Sequence, residues 1–159
     1  LFRSISWNEF VDSFNQYGVS GKVVVNLRSD DSTAKRLILS GNVKFPTTQS
    51  NNLKINGNGY SLKSSLGTEV ISLRGVDYLT ISNLKIINSS TDYFAMGIRM
   101  SLGSDSNLID SVIVDLNGLV KRVGFDGAYI AIGDTGSVLS REPAVFAGIG
   151  NTISNCRLI

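Results

Sequence analysis

Apolar residues arrive in short alternating pairs through the middle of this chain. Between Val70 and Asn88 the pairs are Ile71 and Leu73, Leu79 and Ile81, and Leu84 and Ile86, broken at Arg74-Gly75-Val76-Asp77 and at Ser82-Asn83. Alternation of period 2 over four or five residues predicts strands, and these breaks carry almost no hairpin chemistry. Three such strands in succession read as one coil, not as a meander. The motif recurs. Aligning Leu53-Lys54-Ile55-Asn56-Gly57, Leu79-Thr80-Ile81-Ser82-Asn83, Leu108-Ile109-Asp110-Ser111 and Thr152-Ile153-Ser154-Asn155 places Ile55, Ile81, Ile109 and Ile153 in register, at steps of 26, 28 and 44 residues. A period in the twenties with short strands predicts a β-solenoid in which each coil stacks on the one before.

One segment departs from period 2. Trp7, Phe10, Val11, Phe14 and Tyr17 fall on one helical stripe, Ser6-Trp7-Asn8-Glu9 fits a capping box, and Gly18 is placed to stop the helix. An amphipathic helix of this kind can lie across the first coil and hide its open edges. Short strands are predicted at Lys22 to Leu27, Leu37 to Leu39 and Val43 to Phe45, with Pro46 at a corner. Gly57 and Gly59 resemble half of a phosphate-binding fingerprint, but no helix pattern follows and the third glycine is absent, so they read as bends between strands. The chain divides into a cap at 1–21 and coils at 22–159, incomplete at the C-terminus.

The order of these elements carries a resemblance. An amphipathic helix, a short strand, then Ile55-Asn56-Gly57-Asn58-Gly59-Tyr60-Ser61-Leu62, then Val76-Asp77-Tyr78-Leu79-Thr80-Ile81-Ser82-Asn83-Leu84-Lys85-Ile86, is similar to the start of the pectate-lyase-like right-handed parallel β-helix superfamily. The resemblance covers roughly residues 5–159. It implies an all-β fold with three strands per coil and, at the second turn, an asparagine that stacks on its counterpart one coil away. Asn83 and Asn155 match that turn, and Ser111 interrupts the ladder between them. Asparagine also tolerates positive φ there. Cys156, in register with Leu84 and Val112, reads as a small interior filler.

Composition narrows the functional classes. An apolar fraction of 42% in 159 residues is enough for one continuous core. Fifteen basic residues against 13 acidic ones, scattered except for Lys35-Arg36 and Lys121-Arg122, do not make the concentrated face that nucleic acid or an anionic membrane needs. No apolar run reaches the ~20 residues of a spanning helix, and no signal peptide is evident at the start. With no histidine and one cysteine there is neither an internal disulfide nor a zinc site of the cysteine or histidine kind. Leu1 in place of methionine suggests a processed or trimmed product. Ile153 to Ile159 read as the middle of a coil, so the expectation is that further sequence continues the solenoid or another chain covers that end.

Taking Val70 to Leu73, Met96 to Met100 and Ala128 to Ile132 as equivalent strands, alternation sends Ser72 and Arg74, Gly97 and Arg99, and Tyr129 and Ala131 outward on one wall. Arginines bind carboxylates in a fork and an aromatic face covers a sugar ring, so Arg74, Arg99 and Tyr129 suit a hydroxyl-rich or acidic polymer. Long connections from Val114 to Ala128 and from Ile132 to Thr152, against a step of 7 from Leu73 to Thr80, flank that wall and bring Arg122 and Arg141 to it.

Related pectin-active lyases use an arginine base and outer-wall acids that hold calcium, and similar hydrolases use paired aspartates. The resemblance thus implies catalytic roles for Arg99, Asp126 and Asp110, although Asp126-Gly127 lacks the neighbouring asparagine and second aspartate of the hydrolases, and Asp115 is an alternative carboxylate. Calcium is open as a cofactor, since Asp105, Asp110, Asp115, Asp126 and Asp134 are hard oxygen donors, but no spaced calcium loop occurs and no metal ligands are assigned. Asn88-Ser89-Ser90 is an N-glycosylation acceptor sequence. The expectation is a secreted or cell-surface β-helix that engages a glycan, as the N-terminal part of a polysaccharide lyase or glycoside hydrolase. The alternatives are a structural rod, such as a tailspike, adhesin or filament module, and a lectin-like module that binds without turnover.

Overall fold

A computed structural model of the chain describes residues 6–32, 37–66, 68–92, 94–118, 127–132 and 148–159. Helix α1 spans Trp7–Tyr17. Its capping box forms as expected: Ser6 Oγ accepts the Glu9 N–H at 3.2 Å, and Glu9 Oε2 accepts the Ser6 N–H at 2.8 Å. The helix stops at Gly18, whose φ of 71° places it in the left-handed region, and a Cβ there would sit 1.9 Å from the Phe45 carbonyl oxygen. Phe10 and Phe14 are buried against the coils. On the same helix Asn15 donates to the Ile38 carbonyl at 2.7 Å and accepts the Ser40 N–H at 2.9 Å, which satisfies a strand edge that would otherwise face water.

All strands pair in parallel, in three sheets. The first sheet holds β1 (Val23–Asn26), β3 (Leu53–Asn56), β6 (Leu79–Ser82), β9 (Leu108–Asp110) and β12 (Thr152–Ser154), in that order. In the second, β4 (Ser61–Ser64), β7 (Lys85–Asn88), β10 (Ile113–Asp115) and β13 (Arg157–Leu158) follow one another. The third runs β2 (Leu37–Ser40), β5 (Glu69–Arg74), β8 (Met96–Ser101) and β11 (Ala128–Ile132). From β3 onward the chain visits the sheets in rotation, one strand per wall in each circuit. Among the described residues the first circuit reaches the second wall only through a single bridge from Asp31 to Leu62. The fold is a parallel β-helix of three-strand coils. Val43 to Phe45, expected as a strand, contributes only a single bridge from Phe45 to Gly18.

Register makes the core. Val25, Ile55, Ile81, Ile109 and Ile153 are partners in one column, and Leu62, Ile86, Val114 and Leu158 in another. Leu39, Leu73, Met100 and Ile132 stand in a third. Like stacks on like, so a branched side chain meets the same shape about 4.8 Å above and below, which is how short strands reach crystal-like packing. Between the first and second sheets the bend is held by Asn83, Ser111 and Asn155, with φ of 51°, 54° and 51°. Asn58 on the preceding coil is also left-handed.

The corner from the third sheet to the first carries a set of clips that the turn motifs did not reveal. Thr47 Oγ1 accepts the Asp77 N–H, Asp77 Oδ1 accepts the Asp105 N–H, and Asp105 Oδ1 accepts the Ile149 N–H, one step per coil. Beside them, Asn107 Oδ1 accepts the Leu79 N–H while its Nδ2 donates to the Val76 carbonyl. Asn151 repeats the pattern one coil on, accepting from the Asn107 N–H and donating to the Ser104 carbonyl. Each residue thereby closes backbone groups of its neighbour that buried turns would leave unpaired.

Candidate functional site

The wall expected to bind a polymer is partly buried. In the third sheet Ile38, Ser72, Arg99 and Ala131 are register partners, and Ser72 has 0% of its surface exposed. Gly97 is buried too, and a Cβ there would meet Val114 Cγ1 at 2.2 Å and the Tyr129 carbonyl oxygen at 2.8 Å. Gly97 therefore serves close packing and not the outer surface assigned to it by alternation. Arg99 is half-buried, Tyr129 is half-buried and packs on the core, and Arg74 at the end of β5 is exposed. Asp110 lies on β9 in the first sheet, so the structure does not put it on the same wall as Arg99. Asp126, Arg122 and Arg141 lie outside the described residues.

A more open site sits at the corner between the first and second sheets, on the outside of the left-handed bends. Asn58, Asn83, Leu84, Lys85, Ser111 and Ile113 line a shallow cleft of about 380 Å³ there. Its position follows from local sequence. Each bend turns the chain sharply through one left-handed residue, so the residues on either side splay and leave an indentation that the stacking prolongs along the axis. Tyr60 borders it: its carbonyl accepts the Lys85 N–H at 3.0 Å, and its side chain is 39% exposed.

A column of polar residues, Asn26, Asn56, Ser82, Asp110 and Ser154, runs along the rim. Its hydrogen bonds fall into two groups. In the lower one Asn56 Nδ2 donates to Asn26 Oδ1 at 3.0 Å and to Asn58 Oδ1 at 2.8 Å, and Asn83 Nδ2 reaches Asn56 Oδ1 at 3.4 Å. In the upper one Asp110 accepts from Ser154 Oγ at 2.7 Å, Asn155 Nδ2 at 2.9 Å and Ser111 Oγ at 3.2 Å. Ser82 Oγ stands between them, buried and with no hydrogen-bond partner among the described residues. The turn asparagines thus reach the strand end of the preceding coil instead of stacking on one another.

These donors fix the charge of Asp110. The Ser154 hydroxyl first, then the Asn155 amide, hold its carboxyl below the ordinary carboxylate range, against the opposing effect of burial. A group held anionic accepts hydrogen bonds well and is a poor general acid near neutral pH. Because the folded state depresses this pKa, the associated stability is present above the unfolded value and is lost as pH falls through the folded one. Replacing Asp110 by Asn is therefore expected to flatten the acid-side decline in thermal midpoint below about pH 4. An unchanged slope would mean that the Ser154 and Asn155 contacts do not form.

Asn88, of the glycosylation sequence, is 1% exposed, and its Nδ2 donates to the carbonyls of Thr68 and Met96. The folded protein cannot present it for modification. Cys156 is half-buried against the core, with Sγ 3.1 Å from the Ser154 carbonyl oxygen. Among the described residues no cluster of three or more acidic or cysteine side chains is arranged to hold a metal ion, and no helix is long and apolar enough to cross a membrane. Set against protein-family models, curated proteins and solved structures, the chain gives no match.

Proposed function

We propose that this β-helix is a glycan-engaging module of the pectate-lyase-like kind, exposed at a cell surface or secreted. The corner cleft carries that reading. Sugars present hydroxyl edges and apolar C–H faces together. The cleft offers Asn58, Asn83 and Ser111 to the former and the half-buried Ile113 to the latter, with the exposed Tyr60 nearby. Its openness at the surface and its run along the coil axis suit a chain and not an enclosed small molecule.

Binding is better supported than turnover. An anionic Asp110 on a different wall from Arg99 does not make an acid and base pair, so a lyase or hydrolase reaction would have to be assembled around Arg99 on the third sheet. A rigid structural rod is the second reading, favoured by the Asp77, Asp105, Asn107 and Asn151 clips, which stiffen stacking and offer no chemistry. Incubation with a panel of polysaccharides, followed by affinity electrophoresis and by assays for new reducing ends and for unsaturated elimination products, separates the three. Retarded migration without products is the expected result. Products would establish an enzyme, and neither retardation nor products across the panel would overturn the glycan reading in favour of the rod.

A further inference from the structure

Among the described residues lining the corner cleft, Lys85 is the one charged side chain. It stands in a column with Ser61 below and Ile113 and Arg157 above. Lys85 and Arg157 are thus two coils apart on the same outer face of the second sheet, roughly 9 to 10 Å at the spacing of parallel strands, with an uncharged aliphatic residue between them. Two carboxylates attend Lys85. Asp115 pairs with its Nζ at 3.4 Å in a half-exposed contact, and Asp30, one coil below, lies within electrostatic reach but is already held by the Ser61 N–H at 2.7 Å and hydroxyl at 2.9 Å. Arg157 is exposed.

Resting on the glycan reading, we propose that this face takes an anionic glycan whose charge recurs on every second sugar, with Lys85 and Arg157 as its two anchors. A two-coil step is about the length of a disaccharide in an extended chain. Alternate acidic sugars then meet the two cations, while the neutral sugar between them lies over Ile113. The Lys85 ion pair with Asp115 is long and half-exposed, so a ligand carboxylate or sulfate takes the place of Asp115 at modest cost.

The test is binding of the full chain to three polymers at low salt: a neutral glucan, a homopolymer of uronic acid, and an alternating copolymer of uronic acid and amino sugar. The alternating copolymer is expected to bind about tenfold tighter than the neutral glucan, an advantage that added salt removes. Lys85→Gln and Arg157→Gln should each abolish most of that advantage. Asp115→Asn, which frees Lys85, should increase it a few-fold, and Lys44→Gln, at the far end of the coil stack beside Phe45, should leave it unchanged. All are surface substitutions, so circular dichroism of each variant confirms folding. Equal binding of neutral and alternating polymers overturns this proposal and leaves the glycan reading intact. Preference for the homopolymer overturns the spacing argument, and no binding to any polymer overturns both readings.

Discussion

Replacing Asn107 by alanine is expected to cost about 2 to 6 kcal/mol of folding stability. The side chain is 1% exposed and closes two backbone groups of the coil beneath, the Leu79 N–H and the Val76 carbonyl, each at 2.8 Å. Leu79 and Val76 are themselves fully buried, so water cannot replace the lost partner. A buried polar group left unsatisfied costs roughly 1 to 3 kcal/mol, and here there are two. Against a total of about 5 to 15 kcal/mol for a domain, that is a large share. Asn52, one residue before β3, donates its side-chain amide to the Gln49 carbonyl in an exposed turn, and Asn52→Ala should cost less than about 1 kcal/mol. Urea titration of both variants, read as a shift in midpoint at constant slope, measures the difference. Equal losses would show that the clip adds nothing to stacking.

The same comparison explains why the coil was legible in the sequence and its fastenings were not. Parallel stacking in register puts Ile55 over Ile81 and Ile81 over Ile109, so a core position leaves the same mark at every circuit. Clips leave no such mark. Asn107 and Asn151 act alike, but by register the same position is Leu79 on the coil below and Leu53 on the one below that, so no repeat appears. The asparagines that do repeat, Asn83 and Asn155, were read correctly as turn residues, because a left-handed bend constrains the backbone and therefore the residue type. Their rungs run to Asn56 and Asp110 instead of to each other, since adjacent coils supply different side chains at the strand end.

The site was less legible than the fold, for a different reason. Alternation assigns a side chain to a face, and it does not say whether that face meets solvent. Ser72 and Gly97 were assigned outward and are buried. Tyr129 packs on the core. The cleft at Asn83 and Lys85 arises from the sharpness of the bends, a property of backbone φ that the sequence signals only through Asn83, Ser111 and Asn155 themselves. Lys85 and Arg157 are 72 positions apart and become neighbours on one face only once the register is known.

Along the isoleucine column, truncation to alanine should trace the stack. Ile81 and Ile109 are 0% exposed and flanked above and below by partners of similar shape, so Ile81→Ala and Ile109→Ala are each expected to cost about 2 to 5 kcal/mol through lost transfer energy and a cavity that neighbouring coils cannot close. Ile153, in the same column but 44% exposed, should cost no more than about 1 kcal/mol. Coupling is the sharper measurement. Ile81 and Ile109 pair directly, so their double variant should depart from additivity by about 0.5 kcal/mol or more, because the two truncations share one cavity. Ile55 and Ile153 are three coils apart, roughly 14 Å, and their effects should add. Denaturant titration of the two double variants decides it. If the first pair adds and the second couples, Ile81 and Ile109 are not stacked neighbours, and the columns, the corner cleft and the face bearing Lys85 and Arg157 are lost with them.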